Sequence, residues 1–363
     1  MTAQANQHFV PQFYFRMFTG DDRRVHLLLK KDRRIVLHAP IKGQCARHRF
    51  HSPEIERQFS ELEGRHSAAL RQWRDLAPSP PIRLLPNQLA GLWEAVLFQR
   101  ARTQLELEKT APAHEALVLE MFKEHVRHAT GIENRELLLQ QMEQGDITIK
   151  GNPQRLDALA ICSAMQSAVL ISDLDVHVLR NRTDYSFLFG DSPVVFYNTL
   201  YRNVTDRGVL GYQTPGLQIF LPLDSRTLIM LLDAEAYRGR YRDSLNVDVD
   251  SRCDVSQLNA LQLHHSHQAV YFANSGDRDY VLDLWDTHTR AVVEPREQLH
   301  NRKGWLLKGV RSNDQLYHVF EPHLNIRLAL SFIECDPVHP AKYEFRRRSP
   351  ELYGEHRRRM NWA

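Results

Sequence analysis

The stretch SFLFGDSPVVFYN, residues 186–198, decides how the rest of the chain is read. Two runs of Phe, Val, Leu and Tyr, residue types that fill half-buried strands, flank a GDSP turn. Upstream, from about residue 50 to 180, apolar residues recur at helical spacing. Downstream, LQIFLPL and RTLIMLL continue the strand texture to about residue 275. Helices first and strands later predict an α+β fold, a helix-rich N-terminal half packed on a mainly antiparallel sheet from the C-terminal half.

Outward from that turn, VHLLLKKDRRIVLHAPI reads as a hairpin around a charged KKDRR turn. SPEIERQF opens a helix with Ser52 as cap, Pro53 in the first turn and Glu54 and Glu56 near the positive end. The stiff PSPPIRLLP (78–86) leads into a second helix over about 87–109. Further helices are predicted near 112–128, 134–144, 153–174, 255–267 and 279–291. The expected organisation is a core over 1–275 and a C-terminal extension over 276–363 that ends in a basic tail.

The composition, with 363 residues, 42% hydrophobic and 25% charged, suits a globular chain able to bury its own core. A formal net charge of +3 names no nucleic-acid partner by itself. The 19 histidines make the charge climb as pH falls towards 6. Cys45, Cys162, Cys253 and Cys335 lie far apart with no C-x-x-C spacing, which reads as free thiols in a reducing compartment. No basic start with an apolar core precedes His8, and no apolar run reaches 18 residues. The expectation is a cytoplasmic protein without a membrane partner.

In HFVPQFYFRMF (8–18), His8, Gln12 and Arg16 step by four through an apolar stretch. On a helix or on a strand they look the same way, the pattern of a built polar site. Leu85, Leu89, Leu92 and Val96 step by 4, 3, 4, and the rhythm lands on Gln99 and Thr103 with Arg102 alongside. A buried stripe turning polar is tolerated where its groups are hydrogen-bonded or face a cleft. Glu56 and Glu63, seven apart, each follow a core residue and offer bidentate partners for arginine. Asp191 sits in a turn at a strand end, where carboxylates either accept backbone N–H bonds or serve chemistry. His264, His265 and His267 lack the Glu of an H-E-x-x-H helix and read as a solvated helix end. EFRRRSPELYGEHRRRMNWA interleaves arginine triplets with Phe345, Tyr353 and Trp362, a composition that suits nucleic acid as well as a soluble tail. No P-loop, G-x-G-x-x-G or G-x-S-x-G is present, so kinase, nicotinamide and serine-hydrolase readings lose their main support.

Taken together, these residues resemble one family, the uncharacterised and mostly bacterial "domain of unknown function 4238". His8-x-Val-Pro-Gln-x-Tyr-x-Arg-x-Phe is similar to its opening signature, and Cys45-Ala followed by Phe50, Ile55-Glu56 and Leu62-Glu63-Gly64 to its next block. Gln99-x-x-Arg102-Thr103 resembles its Q-x-x-R-T block, with Gln104 where proline is usual. Phe189 to Val195 resembles an S-D-N-P-V-V turn, departing at Gly190 and Ser192. Phe220-Leu-Pro-Leu and Leu258-Asn259 complete a series covering about residues 8–275. The resemblance implies no reaction; it adds Asn259 to the polar residues already singled out.

The expectation is an enzyme acting on a phosphate-containing substrate, a nuclease or nucleotide hydrolase that could serve as a toxic or defence effector. His8 is the expected general acid or base, and Arg16 and Arg102 the phosphate ligands. Asp191, with Glu63, is expected to orient His8 or hold a divalent metal such as magnesium. Gln12, Gln99 and Asn259 are expected to position substrate, so that His8, Arg16, Gln99, Arg102 and Asp191 share one pocket. The alternatives are a nucleotide or nucleic-acid sensor without turnover, and a purely structural polar network.

Overall fold

In the computed structural model, the described residues are 6–20, 22–48, 50, 52–76, 86–242, 244–288, 298–303, 306–307, 310–311 and 315–360, with side chains described outside 86–88 and 298–319. In chain order the first elements are β1 (Asn6–His8), α1 (Gln12–Thr19), β2 (Arg24–Leu29), β3 (Arg34–Pro40), β4 (Ala46–His48) and α2 (Pro53–Arg74). There follow α3 (Pro86–Ala101), α4 (Gln104–His128), α5 (Arg135–Gln144), α6 (Pro153–Gln166), β5 (Asp175–Asn181), β6 (Phe189–Gly190) and β7 (Val195–Tyr197). The chain continues through β8 (Gln218–Pro222), β9 (Thr227–Leu232), β10 (Asn246–Val249), α7 (Arg252–His265), β11 (Ala269–Phe272) and α8 (Arg278–His288). It ends in β12 (Gln298–Lys303), β13 (Leu306–Leu307), β14 (Val310–Arg311), β15 (Gln315–Phe320) and α9 (Pro350–Arg359).

The fold is α+β. One sheet has the order β10-β5-β9-β8-β7 and is antiparallel except for the β10–β5 pair. The other, β3-β2-β11-β6, joins the N-terminal hairpin to strands from the second half of the chain. The expected hairpin is therefore present, and β2 pairs on its other side with β11 from the C-terminal half. Strands β8 and β9 are buried along their whole length, as a sheet covered on both faces requires.

Helix boundaries differ from the spacing, and the helix expected over 153–174 ends at Gln166, with a separate 3-10 turn over Ala168–Ile171. The predicted helix over 87–109 is two helices, because Thr103 interrupts it: its hydroxyl donates to the Arg100 carbonyl at 3.0 Å and accepts the Glu106 N–H at 3.4 Å. A β-branched hydroxyl that can satisfy local backbone ends one helix and caps the next. Beyond it, α4 runs unbroken through Pro112, where the sequence implies a boundary; packing against α5 and α6 outweighs the proline. The connector 78–86 lies outside the described residues except for Pro86.

Helix α7 lies along the chain 186–193 and bonds to it with side chains. Asn259 accepts the Leu188 N–H at 2.9 Å and donates to the Ser186 carbonyl at 2.8 Å. Gln262 accepts the Gly190 N–H and donates to the Pro193 carbonyl, both at 3.0 Å, and His265 Nδ1 lies 2.9 Å from the Ser192 carbonyl. Asparagine, glutamine and histidine at three-residue spacing thus stand where a neighbouring strand would. Gly190 permits the approach, since a Cβ there would sit 2.8 Å from Ser266 Cβ. Residues 324–332 pack Leu324, Leu328, Leu330 and Phe332 against Leu179, Leu228 and Val255 of the sheet and α7.

Candidate functional site

The opening segment keeps its three polar residues in line although it changes structure midway. His8 ends β1, Pro11 caps α1, and Gln12 and Arg16 lie one turn apart on the helix. Arg16 Nη2 donates to Gln12 Oε1 at 3.2 Å, and Gln12 Nε2 lies 3.4 Å from His8 Nε2. The opposite face of α1 is what anchors it: Tyr14, Phe15 and Phe18 pack their rings at 5.3, 5.2 and 4.3 Å from Phe189.

Facing this line is a polar seam on α2. Glu56, Ser60, Glu63, Ser67 and Arg71 step by 4, 3, 4, 4 and share one side of the helix. The two lines enclose an open cleft of about 380 Å³ lined by His8, Gln12, Arg16 and this α2 seam. Ser60, Ser67 and Arg71 are site residues that the motif reading missed. Their signal is present as a second seam at helical spacing beside the apolar one of Phe59, Leu70 and Trp73.

Behind the cleft, the end of α3 and the residue just after it, Arg102, hold the opening segment by its backbone. Gln99 Nε2 donates to the Phe9 carbonyl at 3.0 Å, and Arg102 Nη2 donates to the His8 carbonyl. Arg102 Nη1 lies 2.6 Å from Glu63 Oε1, an ion pair whose angle is too bent for a well-formed hydrogen bond. Its guanidinium also lies 4.8 Å from the Phe98 ring centre. Both residues are buried, at 4% and 6% exposure, and Gln99 Nε2 and Arg102 Nη2 are spent on backbone carbonyls.

His8 is buried at its back and open to the cleft. Its Nε2 lies 3.0 Å from the Lys42 carbonyl, which can only accept, so Nε2 carries the proton and Nδ1 keeps the lone pair. Burial pushes its pKa below the ordinary histidine value, and the Arg102 and Arg16 charges push the same way. The Lys42 carbonyl and the Glu63 charge act against that shift without cancelling it. The imidazole is neutral at pH 7. Across from it, neither Arg16 nor Arg71 has a carboxylate partner among the described residues. Two guanidinium charges stand against the single carboxylate of Glu56, because Glu63 is already paired with Arg102.

The other sequence candidates lie outside this lining. Asp191 is buried at 5% exposure, and its carboxylate accepts the N–H groups of His267 at 2.7 Å, Gln268 at 2.7 Å and Ala269 at 3.2 Å. It ties the GDSP turn to the end of α7, the turn-forming role such a residue also allows. Asn259 is engaged with 186–188 as described. The single pocket expected from the sequence therefore resolves into three roles: His8, Gln12, Arg16 and Glu63 line the cleft, Gln99 and Arg102 hold it, and Asp191 and Asn259 build the sheet behind it. His265 is not the solvated helix end expected but fully enclosed, at 1% exposure.

Among the described residues no three His, Cys, Asp or Glu side chains group as metal ligands do, and no helix there is long and apolar enough to cross a membrane. Neither curated proteins nor solved structures yield a match to this chain. The sequence model of one family does match, over residues 6–276, a span that holds the cleft, its α3 support and the α7 ladder and stops short of the C-terminal segment. The chain belongs to that family, the proteins of unknown function called DUF4238.

Proposed function

We propose that the α1–α2 cleft binds a phosphate-bearing substrate and hydrolyses it, as a nuclease or nucleotide hydrolase does. The observation that carries this reading is the pair of unneutralised guanidinium groups, Arg16 and Arg71, in one cleft with a neutral imidazole. Guanidinium is the side chain best matched to phosphate oxygens, and unpaired arginines stabilise charge developing on them. His8 Nδ1 takes a proton from water as the water oxygen bonds to phosphorus. The phosphorus–oxygen bond to the leaving group breaks, and Arg16 and Arg71 balance the charge on the remaining oxygens. Gln12 fixes the position of Arg16, and Ser60 and Ser67 supply hydroxyl contacts to the substrate. Substrates of this class are abundant in the cytoplasm, where we place the protein; the free thiols of Cys162 and Cys253 fit that compartment.

The test is incubation of the full chain with a panel of nucleotides and short RNA and DNA, with products read by mass spectrometry. Turnover that falls on His8→Ala while binding persists, and binding that falls on Arg16→Ala or Arg71→Ala, supports the reading. Binding without any product assigns the cleft to a sensor instead. Absence of both binding and turnover across the panel removes the proposal.

A further inference from the structure

A second cleft, on the other side of the α3–α4 junction, has an aromatic mouth and a charged floor. It measures about 330 Å³, and its lining includes Arg100, Glu106, Tyr212, Phe320, Glu321 and Phe345. Nothing in the α1–α2 cleft is shared with it. The floor is a compact set of charges. Lys109 Nζ contacts Glu106 Oε2 at 2.6 Å and Glu321 Oε2 at 3.2 Å, while Arg100 pairs with the same Glu321 oxygen and lies 3.7 Å from Glu106 Oε2. Burial alone would raise the Glu321 pKa, but Arg100 and Lys109 outweigh it and hold the carboxyl down at about 2. Glu321 is therefore ionised, and both carboxylates spend their Oε2 oxygen on the cations.

The remaining oxygens define what the cleft can take. Glu106 Oε1 has no hydrogen-bond partner among the described residues, and His265 Nε2 lies 4.0 Å from Glu321 Oε1. An ionised carboxylate is an acceptor only, so a ligand must bring donors. The mouth adds a second requirement. Phe345 is 72% exposed, an unusual state for phenylalanine, and its ring lines the cleft with Arg347 lying 5.4 Å from its centre. A planar ring carrying adjacent N–H groups meets both demands. Of the neutral nucleobases, guanine alone presents two neighbouring donors, N1–H and N2–H, on one edge. In adenine and cytosine the amine is next to an acceptor, and in uracil the single N–H stands between two.

The chain around Phe345 extends the fit towards a phosphate. Arg346 is exposed and has no ion-pair partner among the described residues. Arg347 is held over the Tyr353 ring at 3.8 Å and lies 5.4 Å from the Phe345 ring centre. By contrast Arg348 is turned inward to Asp173 at 2.7 Å and to the backbone carbonyls of Leu170, Tyr212 and Thr214, which fixes the segment on the core. Gly208 sets the depth of the cleft, because a Cβ there would lie 2.6 Å from Phe320 Cβ and displace the strand end that delivers Glu321.

We infer that this second cleft is a guanine-nucleotide site, in which the base stacks on Phe345 and gives its N1–H and N2–H to Glu106 and Glu321. The site is independent of the reading given to the α1–α2 cleft, and guanosine separates the two because it carries no phosphate. The experiment is calorimetric titration of the full chain with guanosine, adenosine, GMP and a short RNA ending in G. Guanosine binding at least tenfold tighter than adenosine, with a further gain for GMP, supports the site. RNA binding with the same guanine preference also supports it and makes a nucleic-acid end the source of the base. Phe345→Ala, at an exposed position where folding is not at stake, should weaken guanosine about tenfold or more through loss of a stacking face. Glu106→Gln should erase the preference over adenosine. Equal affinity for the two nucleosides, no guanosine binding at millimolar concentration, or undiminished binding in Phe345→Ala would each overturn the inference.

Discussion

Arg102 binds the backbone carbonyl of His8 and the carboxylate of Glu63 with one guanidinium, so a single side chain sets both walls of the α1–α2 cleft. Replacing it leaves a buried carbonyl and an acid without their partner. Arg102→Ala is expected to destabilise the fold by about 3 kcal/mol, in line with the breaking of other buried pairs. Arg102→Lys restores a charge but not the two-pronged donor, and should recover little of the loss. Arg16→Ala, at an exposed position, should stay within about 0.5 kcal/mol of the parent. Urea unfolding of the three variants decides it; equal stabilities would show that Arg102 does not hold the site.

His8 separates chemistry from support in the same cleft. Its removal deletes the lone-pair nitrogen but leaves the carbonyl that Arg102 binds, so the opening segment should remain in place. His8→Ala is expected to lower hydrolysis by about 10²–10⁴-fold while phosphate-ligand affinity changes little. A parallel fall in melting temperature and affinity would instead make the imidazole a structural group.

Asp191 should behave in the opposite way. Asp191→Asn places an amide where three backbone N–H groups need an acceptor, and one amide face is itself a donor. Hydrogen bonds to charged groups are worth about 1.5–3 kcal/mol each, so a loss of about 2 kcal/mol in stability is expected. Activity per folded molecule should be retained. Thermal melts together with turnover measured well below the melting point distinguish this from a catalytic role.

The histidines in the interior give the fold an acid limit. Burial depresses His66, His264 and His265 to about 4, and neighbouring cations add to the effect at Arg65 for His66, Lys30 for His264 and Arg100 for His265. The unfolded chain takes up these protons near pH 6.5, before the folded one does. Stability therefore falls as pH drops from about 6.5 to 4, by up to about 1.4 kcal/mol per pH unit for each histidine. Glu321 adds to the loss only further down, between the ordinary glutamate range and about 2. Urea midpoints measured from pH 7 to 4.5 should decline steadily, and His265→Gln should flatten the slope. A flat profile would refute neutral burial of these rings.

The order of helices and strands was readable from residues 186–198 because strand and helix periods differ, and the same patterning marked the hairpin, α2 and α7. Spacing also found the cleft line His8, Gln12 and Arg16, since four-residue steps survive the change from strand end to helix. It could not tell presentation from support. Gln99 and Arg102 look like a pocket edge in sequence, yet their donors go to backbone carbonyls 90 and 94 residues away. Such partners carry no side-chain signature. Glu321 escaped notice for a related reason: its partners Arg100 and Lys109 lie more than 200 residues before it and His265 more than 50, and no local pattern marks it.

The α7 ladder has a consequence for how copies of this protein meet. Strand β6 is the last in its sheet, and an open strand margin of unpaired N–H and carbonyl groups invites another chain to add on. Asn259, Gln262 and His265 occupy those groups from Ser186 to Pro193 with side chains, which cannot themselves be extended by a further strand. The helix thereby closes this margin of the sheet against self-templated growth, and does so with neutral side chains.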